Sequence, residues 1–189
     1  MDTIGRNDCR FATERLQLEP LAASDLPVLH ALLTDPSVRK YLCDDQVIAV
    51  SEAAGILDTA LDTFAKHRYG LWLVYPKGQP EAVGFVGLYS FFVEPQPQLL
   101  YALLPQYQGQ GFATEASRRI VQYAFDELGY AYLEASCDAP NVASVRVMER
   151  LGMGRLKEER TADKALVWYR LDRQGDRPAQ GQGPAARED

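Results

Sequence analysis

The segment between Leu99 and Leu128 constrains the fold more than any other part of the chain. Residues 99–104 form a short, wholly apolar run, which is typical of a β-strand buried on both faces. A glycine-containing loop follows over residues 105–111, and residues 114–128 then place apolar side chains at helical spacing. A strand that leads through glycines into an amphipathic helix predicts an α/β fold with an anion site at the helix N-terminus.

Strand and helix signals alternate along the rest of the chain. Further strands are predicted over residues 15–21, 71–75, 82–92, 130–136, 155–159 and 165–171. Further helices are predicted to begin at Ser24, Ser51 and Asn141, and Asp35-Pro36 is predicted to end the first of them. We therefore expect one domain over residues 10–172, between a flexible leader, residues 1–9, and a tail, residues 173–189. The tail contains no Val, Ile, Leu, Phe, Tyr or Trp, and this composition predicts disorder.

Composition excludes several classes of protein. The chain has 189 residues with a formal net charge of −6, and 47% of them are hydrophobic. These values predict a globular core and argue against a nucleic-acid-binding surface. No apolar run approaches the roughly 20 residues that a membrane span needs, and the first residues show no secretory signal. The three cysteines and two histidines are widely spaced, so we expect no disulfide framework, no metal site and a cytoplasmic location.

Residues 108–113 carry the most specific chemical signal. Gly109 and Gly111 let successive backbone N–H groups point into one concavity at the positive end of a helix dipole, which suits a diphosphate. A plain glycine-assisted turn is the simpler alternative. A dinucleotide-binding G-x-G-x-x-G loop, with Glu134 as its acidic residue, is another, although Thr114 stands where the third glycine belongs. A Walker loop is excluded, because no Gly-Lys-Ser/Thr follows.

The pattern Gln108-x-x-Gly111-x-Ala113 resembles the Q/R-x-x-G-x-G/A acyl-CoA loop of the GNAT N-acetyltransferase superfamily. The surrounding sequence, YALLPQYQGQGFATEA, resembles the ribosomal-protein N-acetyltransferase branch of that superfamily. A second block, from Asn141 to Gly152, is similar to the family's downstream N-x-x-S/A…G-F helix, and TERLQLEPL resembles the first strand of this branch. The resemblance covers essentially the whole chain apart from the predicted leader and tail.

This resemblance implies the GNAT fold, an α/β arrangement with a mixed central sheet, splayed parallel strands and flanking helices. The co-substrate acetyl-CoA would bind between the splayed strands, here residues 99–104 and 130–136, with its pantetheine arm along the first like an added strand. The implied acetyl-CoA-binding residues are Leu103, Gln108, Gly109, Gln110, Gly111, Phe112, Ala113, Thr114 and Asn141. A role as helix N-cap suits Asn141 equally well.

The resemblance also implies an N-acetyltransferase, which moves an acetyl group from acetyl-CoA to a primary amine of a protein or small molecule by direct attack on the thioester. The backbone N–H of Leu103 would polarise the carbonyl, and Ser144 is the implied proton donor, because Met148 stands where many relatives have Tyr. Ser144 also suits a purely structural role at the helix start, and a thiolate can leave unaided. Gln98 stands where this branch often has Glu, so Glu134 is the candidate base, unless it is an outward-facing strand carboxylate.

Acceptor specificity is expected from the segment between the first strand and Gly70, together with the last strand pair. Asp44 and Asp45 are candidates for holding a cationic acceptor, although a solvated acidic loop also explains them. Tyr41 and Trp72 suit either the pocket or the core. The expected partners are acetyl-CoA and an amine, without nucleic acid or membrane, and the chain is expected to be a monomer or a homodimer.

Two other functions stay open at the level of the sequence. The first is a non-catalytic acyl-CoA-binding sensor on the same fold, which the missing Tyr and Glu suggest. The second is a nucleotide-dependent oxidoreductase that uses the glycine loop for its cofactor.

Overall fold

The computed structural model describes residues 9–91, 96–160 and 164–173. The predicted leader and tail therefore lie outside the described residues, apart from Cys9 and Arg173. Cys9 is 3% exposed, and its carbonyl oxygen accepts a hydrogen bond of 2.6 Å from Nε1 of Trp72. The backbone N–H of Arg173 donates to the carbonyl oxygen of Ala131 at 2.8 Å. Cys9 and Arg173, predicted to belong to the leader and the tail, therefore each contact a residue of the predicted domain.

The described residues form eight strands and five α-helices. Their bounds are β1 Phe11–Ala12, β2 Leu16–Pro20, α1 Leu26–Thr34, α2 Pro36–Leu42, α3 Val50–His67, β3 Leu71–Pro76, β4 Gly84–Tyr89, β5 Gln98–Leu103, α4 Phe112–Asp126, β6 Tyr132–Asp138, α5 Val142–Arg150, β7 Gly154–Arg160 and β8 Ala165–Asp172. All the predicted strands and helices are present, with shifted ends, whereas β1 and α2 were not predicted. None of the helices in the described ranges has the length and apolar character needed to cross a membrane.

Helix α2 escaped prediction because Asp35 and Pro36 begin a helix as well as ending one. The Oδ1 atom of Asp35 accepts hydrogen bonds from the backbone N–H groups of Ser37, at 2.9 Å, and Val38, at 3.3 Å. These bonds satisfy the first turn of α2, and Pro36, which has no N–H to leave unpaired, fits its first position. As a result α2 follows α1 directly and supplies one wall of the cavity described below.

Strands β1 to β5 form one antiparallel sheet in chain order, with helices on both faces. The sequence of strand β3 reflects the covering of both faces of the sheet. Leu71 and Leu73 pack into the cluster that contains the buried residues of α1 and α3. Trp72 and Val74 pack into the cluster on the α4 side. Because both faces are covered, the strand is apolar at consecutive positions instead of alternating.

Strands β6, β8 and β7 form a second antiparallel sheet with β8 in the middle. β5 and β6 lie at adjoining edges of the two sheets. Nε2 of Gln96, just before β5, donates to the carbonyl oxygen of Tyr132 at 2.7 Å, and Oγ of Ser136 donates to Oε1 of Gln98 at 2.9 Å. Both contacts advance in the same direction along the two segments, so β5 and β6 run parallel. They belong to separate hydrogen-bonded sheets, and the splayed parallel pair expected of the GNAT fold is thereby confirmed.

Candidate active site

A cavity of about 490 Å³ opens between the splayed strands. Its walls come from α2, β5, the loop after β5, the start of α4, the end of β6 and α5. The predicted site residues that line it are Leu103, Gln108, Gly109, Gly111, Phe112, Ala113, Thr114, Asn141 and Ser144. The volume is typical of a small-molecule site. One cavity therefore collects the strand, the glycine loop and the Asn141 helix.

The edge of β5 that faces this cavity offers backbone hydrogen-bonding groups. The N–H of Leu104 donates to the carbonyl oxygen of Val83 at 2.9 Å, which directs the backbone of Leu104 toward β4. Neighbouring residues of a strand point their backbone groups in opposite directions, so those of Leu103 point away from β4. The carbonyl oxygen of Leu103 indeed accepts a bond of 2.8 Å from Nε2 of Gln108 on that side. The N–H of Leu103 therefore faces the gap between β5 and β6.

The glycine loop ends in a helix N-terminus. Gly109 and Gly111 have φ angles of +73° and +82°, a region that favours glycine. Gly111 is the N-cap residue of α4, so the N–H groups of Phe112, Ala113 and Thr114 lie in the first turn, where a helix supplies no acceptor of its own. These amides and the helix dipole make an anion site that is built from the backbone.

Gln110 lies outside the cavity and lines an adjoining hollow. Its carbonyl oxygen accepts from Nη1 of Arg15 at 2.9 Å. Arg15 in turn bonds Glu115, whose carboxylate also accepts from Oγ1 of Thr13 at 2.6 Å. Burial acts to raise the pKa of Glu115, but the bonds from Thr13 and Arg15 outweigh it and hold the pKa below its ordinary value. Arg15 thus supports the glycine loop through its bond to Gln110, and its charge is already paired with Glu115.

Three arginines at the mouth of the cavity have no such partner among the described residues. Arg146 and Arg150 line the cavity, and Arg118 and Arg150 line the adjoining hollow. Nη2 of Arg118 donates to the carbonyl oxygen of Arg150 at 3.3 Å, which links the first half of α4 to the end of α5. Within the described part of the chain, no carboxylate lies within ion-pairing distance of these three guanidinium groups. In a chain of net charge −6, three unpaired cations beside a glycine loop favour a polyanionic ligand.

A family model described as an acetyltransferase (GNAT) domain matches residues 15–154. The chain belongs to the GNAT acetyltransferase family. It is accordingly an acyl-CoA-dependent N-acetyltransferase, and the reaction of the family is acetyl transfer from acetyl-CoA to an amine.

Relatives with names and structures agree with this assignment. The uncharacterized N-acetyltransferase YnaD of Bacillus subtilis is 26% identical over 145 residues, which cover 77% of this chain and 82% of YnaD. Spermidine N(1)-acetyltransferase of Escherichia coli K12 is 27% identical over 138 residues, 72% of each chain. The structure of RimL, a ribosomal L7/L12 α-N-protein acetyltransferase, in complex with coenzyme A has a TM-score of 0.71 at 20% identity, covering 85% of this chain and 95% of RimL. In that complex one cysteine of RimL forms a disulfide with coenzyme A.

At the centre of this GNAT cavity, α5 and β5 meet through Asn141, Ser144 and Tyr101. Oδ1 of Asn141 accepts from the backbone N–H of Ser144 at 3.2 Å, so the asparagine caps α5 and also lines the cavity. Oγ of Ser144 lies 2.8 Å from the phenol oxygen of Tyr101. Burial raises the pKa of Tyr101 far above its ordinary value. Burial likewise raises the pKa of the neighbouring Cys137 thiol, to about 11, although a hydrogen bond with Ser144 lowers it.

Four residues predicted from the sequence are not brought into the cavity. Glu134 does not line it and lies 3.8 Å from Nη1 of Arg170 on the neighbouring strand β8. Trp72 is fully buried in the core. Asp44 pairs with Lys164, and Asp45 pairs with Nε of Arg39 at 3.1 Å; neither carboxylate lines the cavity. These carboxylates have cationic partners outside the cavity lining, and an acceptor-binding role for Asp44 and Asp45 stays a prediction.

Met148, which holds the position of the family's tyrosine, is fully buried and does not line the cavity, although Ser144 one turn earlier does. A tyrosine placed there would have to fit a packed core. Among the described residues that line the cavity, none is Asp, Glu or His. The described lining of this cavity therefore offers hydroxyl and thiol groups, and no carboxylate or imidazole.

Sequence reasoning missed the phenol of Tyr101, the thiol of Cys137 and the wall formed by α2. Tyr101 fits the apolar pattern of its strand, and only its partner across the gap shows that its hydroxyl group is hydrogen-bonded. Tyr41, for which the sequence allows either pocket or core, lines the cavity from α2. No local signal reveals these contacts, because each joins elements that are distant in the chain. Among the described residues, no group of three or more His, Cys, Asp or Glu side chains is placed to hold a metal ion.

Proposed function

We propose that acetyl-CoA binds in the cavity with its pantetheine arm along the free edge of β5 and its diphosphate at the N-terminus of α4. The observation that supports this proposal is that the strand edge, the glycine loop and the arginines follow one another along the cavity. The cavity-facing backbone of Leu103 leads directly into the glycine loop, and the loop opens toward the unpaired Arg146 and Arg150. A donor with a peptide-like arm and a phosphorylated nucleotide end fits this sequence of groups. A dinucleotide would leave the strand edge of β5 unused.

In this arrangement, the acetyl carbonyl accepts a hydrogen bond from the N–H of Leu103. The bond polarises the carbonyl and stabilises the oxyanion that forms when the amine attacks. The amine must reach the carbonyl as the neutral base, because no carboxylate or imidazole of the described residues lines the cavity to deprotonate it. Collapse of the intermediate breaks the C–S bond, and the hydroxyl of Ser144 is placed to protonate the departing sulfur.

The acceptor enters on the α2 side. Ser37, Val38, Tyr41 and Leu42 form this wall, opposite the β6 and α5 side chains. The named relatives act on spermidine and on the N-terminus of a ribosomal protein. Both acceptors present a primary amine, and we propose a primary amine as the acceptor of this chain, with polyamines and protein N-termini as the first classes to test.

Calorimetric titration with coenzyme A, acetyl-CoA and NAD, followed by a turnover assay, tests the proposal. We expect binding of both coenzyme A species, no binding of NAD, and thiol release with at least one class of amine, with the acetylated product seen by mass spectrometry. Binding of acetyl-CoA without turnover across polyamines, peptides with free N-termini, lysine and small amines would favour a sensor. Binding of NAD but not coenzyme A would favour an oxidoreductase.

A further inference from the structure

The number of hydroxyl protons limits the hydrogen bonds that Tyr101 and Ser144 can form with each other. The phenol oxygen of Tyr101 lies 3.0 Å from the carbonyl oxygen of Ser144, an atom that can only accept. The same phenol oxygen lies 2.8 Å from Oγ of Ser144, where either group can donate. A phenol has one proton and cannot donate fully to both acceptors. The pair therefore has two arrangements, which differ in where the hydroxyl proton of Ser144 points.

In the first arrangement, Tyr101 donates to the Ser144 carbonyl, and the Ser144 hydroxyl donates to the phenol oxygen. The lone pairs of Oγ then face the cavity, ready to accept a proton. In the second, Tyr101 donates to Oγ, and the Ser144 proton turns away from the phenol, toward the cavity and the neighbouring Cys137 thiol. The carbonyl of Ser144 does not depend on the tyrosine, because a residue inside α5 also has the backbone N–H four positions later as a partner. The two arrangements exchange by rotation of two O–H bonds without moving a heavy atom.

Both arrangements serve a step of acyl transfer from a thioester. Attack of a neutral amine gives an intermediate with a positively charged nitrogen, and this proton must leave. Departure of the sulfur gives a thiolate, which gains a proton to become the free thiol of coenzyme A. One hydroxyl that accepts from the nitrogen and donates to the sulfur satisfies both demands, so no separate base and acid are required.

We propose that Tyr101 is a positioning residue that holds the Ser144 hydroxyl between the attacking amine and the departing sulfur, so that Ser144 shuttles one proton from the first to the second. The inference rests on the proposed function. The step is balanced. The N–C bond forms as the C–S bond breaks, the nitrogen loses one proton, the sulfur gains one, and Ser144 and Tyr101 end as neutral as they began. It also accounts for a cavity in which the described lining residues include neither carboxylate nor imidazole.

Tyr101 itself is a poor acid in this site. It is half-buried beside Ser144 and Cys137, and burial disfavours the phenolate. Loss of its proton to a thiolate would leave a buried negative charge behind. Its contribution is therefore geometric, and it acts through the one oxygen of Ser144 that it contacts.

A double-mutant cycle on the full chain tests this, with Tyr101→Phe, Ser144→Ala and the combined variant, assayed by thiol release with the amine found for the wild type. Tyr101→Phe keeps the ring and removes only the hydroxyl, and Tyr75→Phe in β3, which does not line the cavity, is the matched control. We expect kcat to fall about 10-fold for Tyr101→Phe and about 10²-fold for Ser144→Ala, with KM for acetyl-CoA unchanged. The combined variant should equal Ser144→Ala, because Tyr101 acts only through Ser144.

Three results would overturn the inference. Equal kcat values for Tyr101→Phe and Tyr75→Phe would show that the phenol does not position Ser144. A combined variant whose loss is the product of the single losses would show that the two residues act independently. A rise in KM for acetyl-CoA at constant kcat would assign Tyr101 to donor binding. Each presupposes an active wild type, whereas a wild type that binds acetyl-CoA without turnover overturns the proposed function itself.

Discussion

The two ends of the cavity use charge in opposite ways. At the donor end, defined by residues 108–114 with Arg146 and Arg150, backbone amides form the anion site, and no carboxylate of the described residues pairs with either arginine. At the acceptor end, defined by α2 and the turn after it, Asp44 and Asp45 are paired with Lys164 and Arg39. The donor end therefore suits an anion, whereas Asp44 and Asp45 are already paired, and we expect the acceptor end to select its amine through the shape of α2.

The largest expected effect comes from breaking the donor end at its backbone. Gly111→Val should lower the affinity for acetyl-CoA about 100-fold, the equivalent of two lost hydrogen bonds to a charged group. The added side chain occupies the approach to the α4 amides, and its Cβ would lie 3.3 Å from Nη2 of Arg15, the brace of the loop. Calorimetric titration with acetyl-CoA measures the loss.

Gly78→Val is the matched control for that variant. Gly78 and Gly111 have φ angles of +81° and +82°, so both substitutions impose the same backbone strain. A Cβ at Gly78 meets no heavy atom within 4 Å, and the residue lies in the turn after β3, away from the cavity. The two substitutions should lower the melting temperature by similar amounts, but only Gly111→Val should lower the affinity for acetyl-CoA. Equal affinities in two folded variants would remove the loop from the donor site.

The second effect distinguishes the two ends of the cavity by the alkylation rates of two cysteines. Cys137 lines the cavity beside Ser144, and burial raises its pKa to about 11. A thiol with a raised pKa stays protonated up to a higher pH, so at pH 8 about one molecule in 10³ carries the thiolate, and alkylation by iodoacetamide should be about 100-fold slower than for an ordinary thiol. The rate should rise about tenfold per pH unit up to pH 10 without a plateau, as followed by peptide mass spectrometry.

Cys43, at the end of α2, provides the comparison. Burial also raises its pKa, with Asp44 and Glu52 adding to the effect, and the residue does not line the cavity. Acetyl-CoA should protect Cys137 from alkylation and leave the rate at Cys43 unchanged. Protection of Cys43 alone would place the donor at the wrong end of the cavity.

The third effect tests the unpaired cations. Arg118→Gln should weaken coenzyme A binding about tenfold at low salt, and the loss should shrink as the salt concentration rises. The adjacent Arg119→Gln is the control, because Arg119 pairs with Glu127 at 3.6 Å and its guanidinium lies 3.7 Å from the centre of the Phe11 ring. It should leave binding unchanged. Titration with 3′-dephospho-coenzyme A then tells which phosphate Arg118 contacts, and equal affinities for both arginine variants would contradict the role given to this cluster.

The same contrast explains how much the sequence could predict. The donor end depends on local features, namely two glycines, a helix start and an apolar strand, and the predicted loop residues line the cavity with the exception of Gln110. The acceptor end depends on which distant side chains meet. Nothing near Asp44 in the sequence announces that Lys164, 120 residues later, neutralises it. Glu134 likewise shows no local sign of its neighbour Arg170.

The fold was predictable for a related reason. Strand and helix periods are local, and the two covered faces of β3 already show as consecutive apolar residues. Tyr101 marks the limit, because its ring belongs to the apolar strand pattern while its hydroxyl belongs to the chemistry of the site. An amphipathic side chain satisfies both descriptions, and only the three-dimensional neighbour decides between them.

The smallest expected effect concerns the acceptor end. Asp44→Asn and Asp45→Asn should change KM for the amine less than about threefold and leave acetyl-CoA affinity unchanged, since exposed ion pairs are worth about 0–1 kcal/mol. Asparagine fits the backbone conformation at both positions. Both residues have left-handed φ angles, +51° and +58°, which asparagine adopts readily, so only the charge is removed. Steady-state kinetics with the best amine, at two salt concentrations, measures the change. A rise in KM of tenfold or more for a polyamine, but not for a singly charged amine, would mean that these carboxylates leave Lys164 and Arg39 to hold the acceptor, and the contrast between the two ends would be wrong.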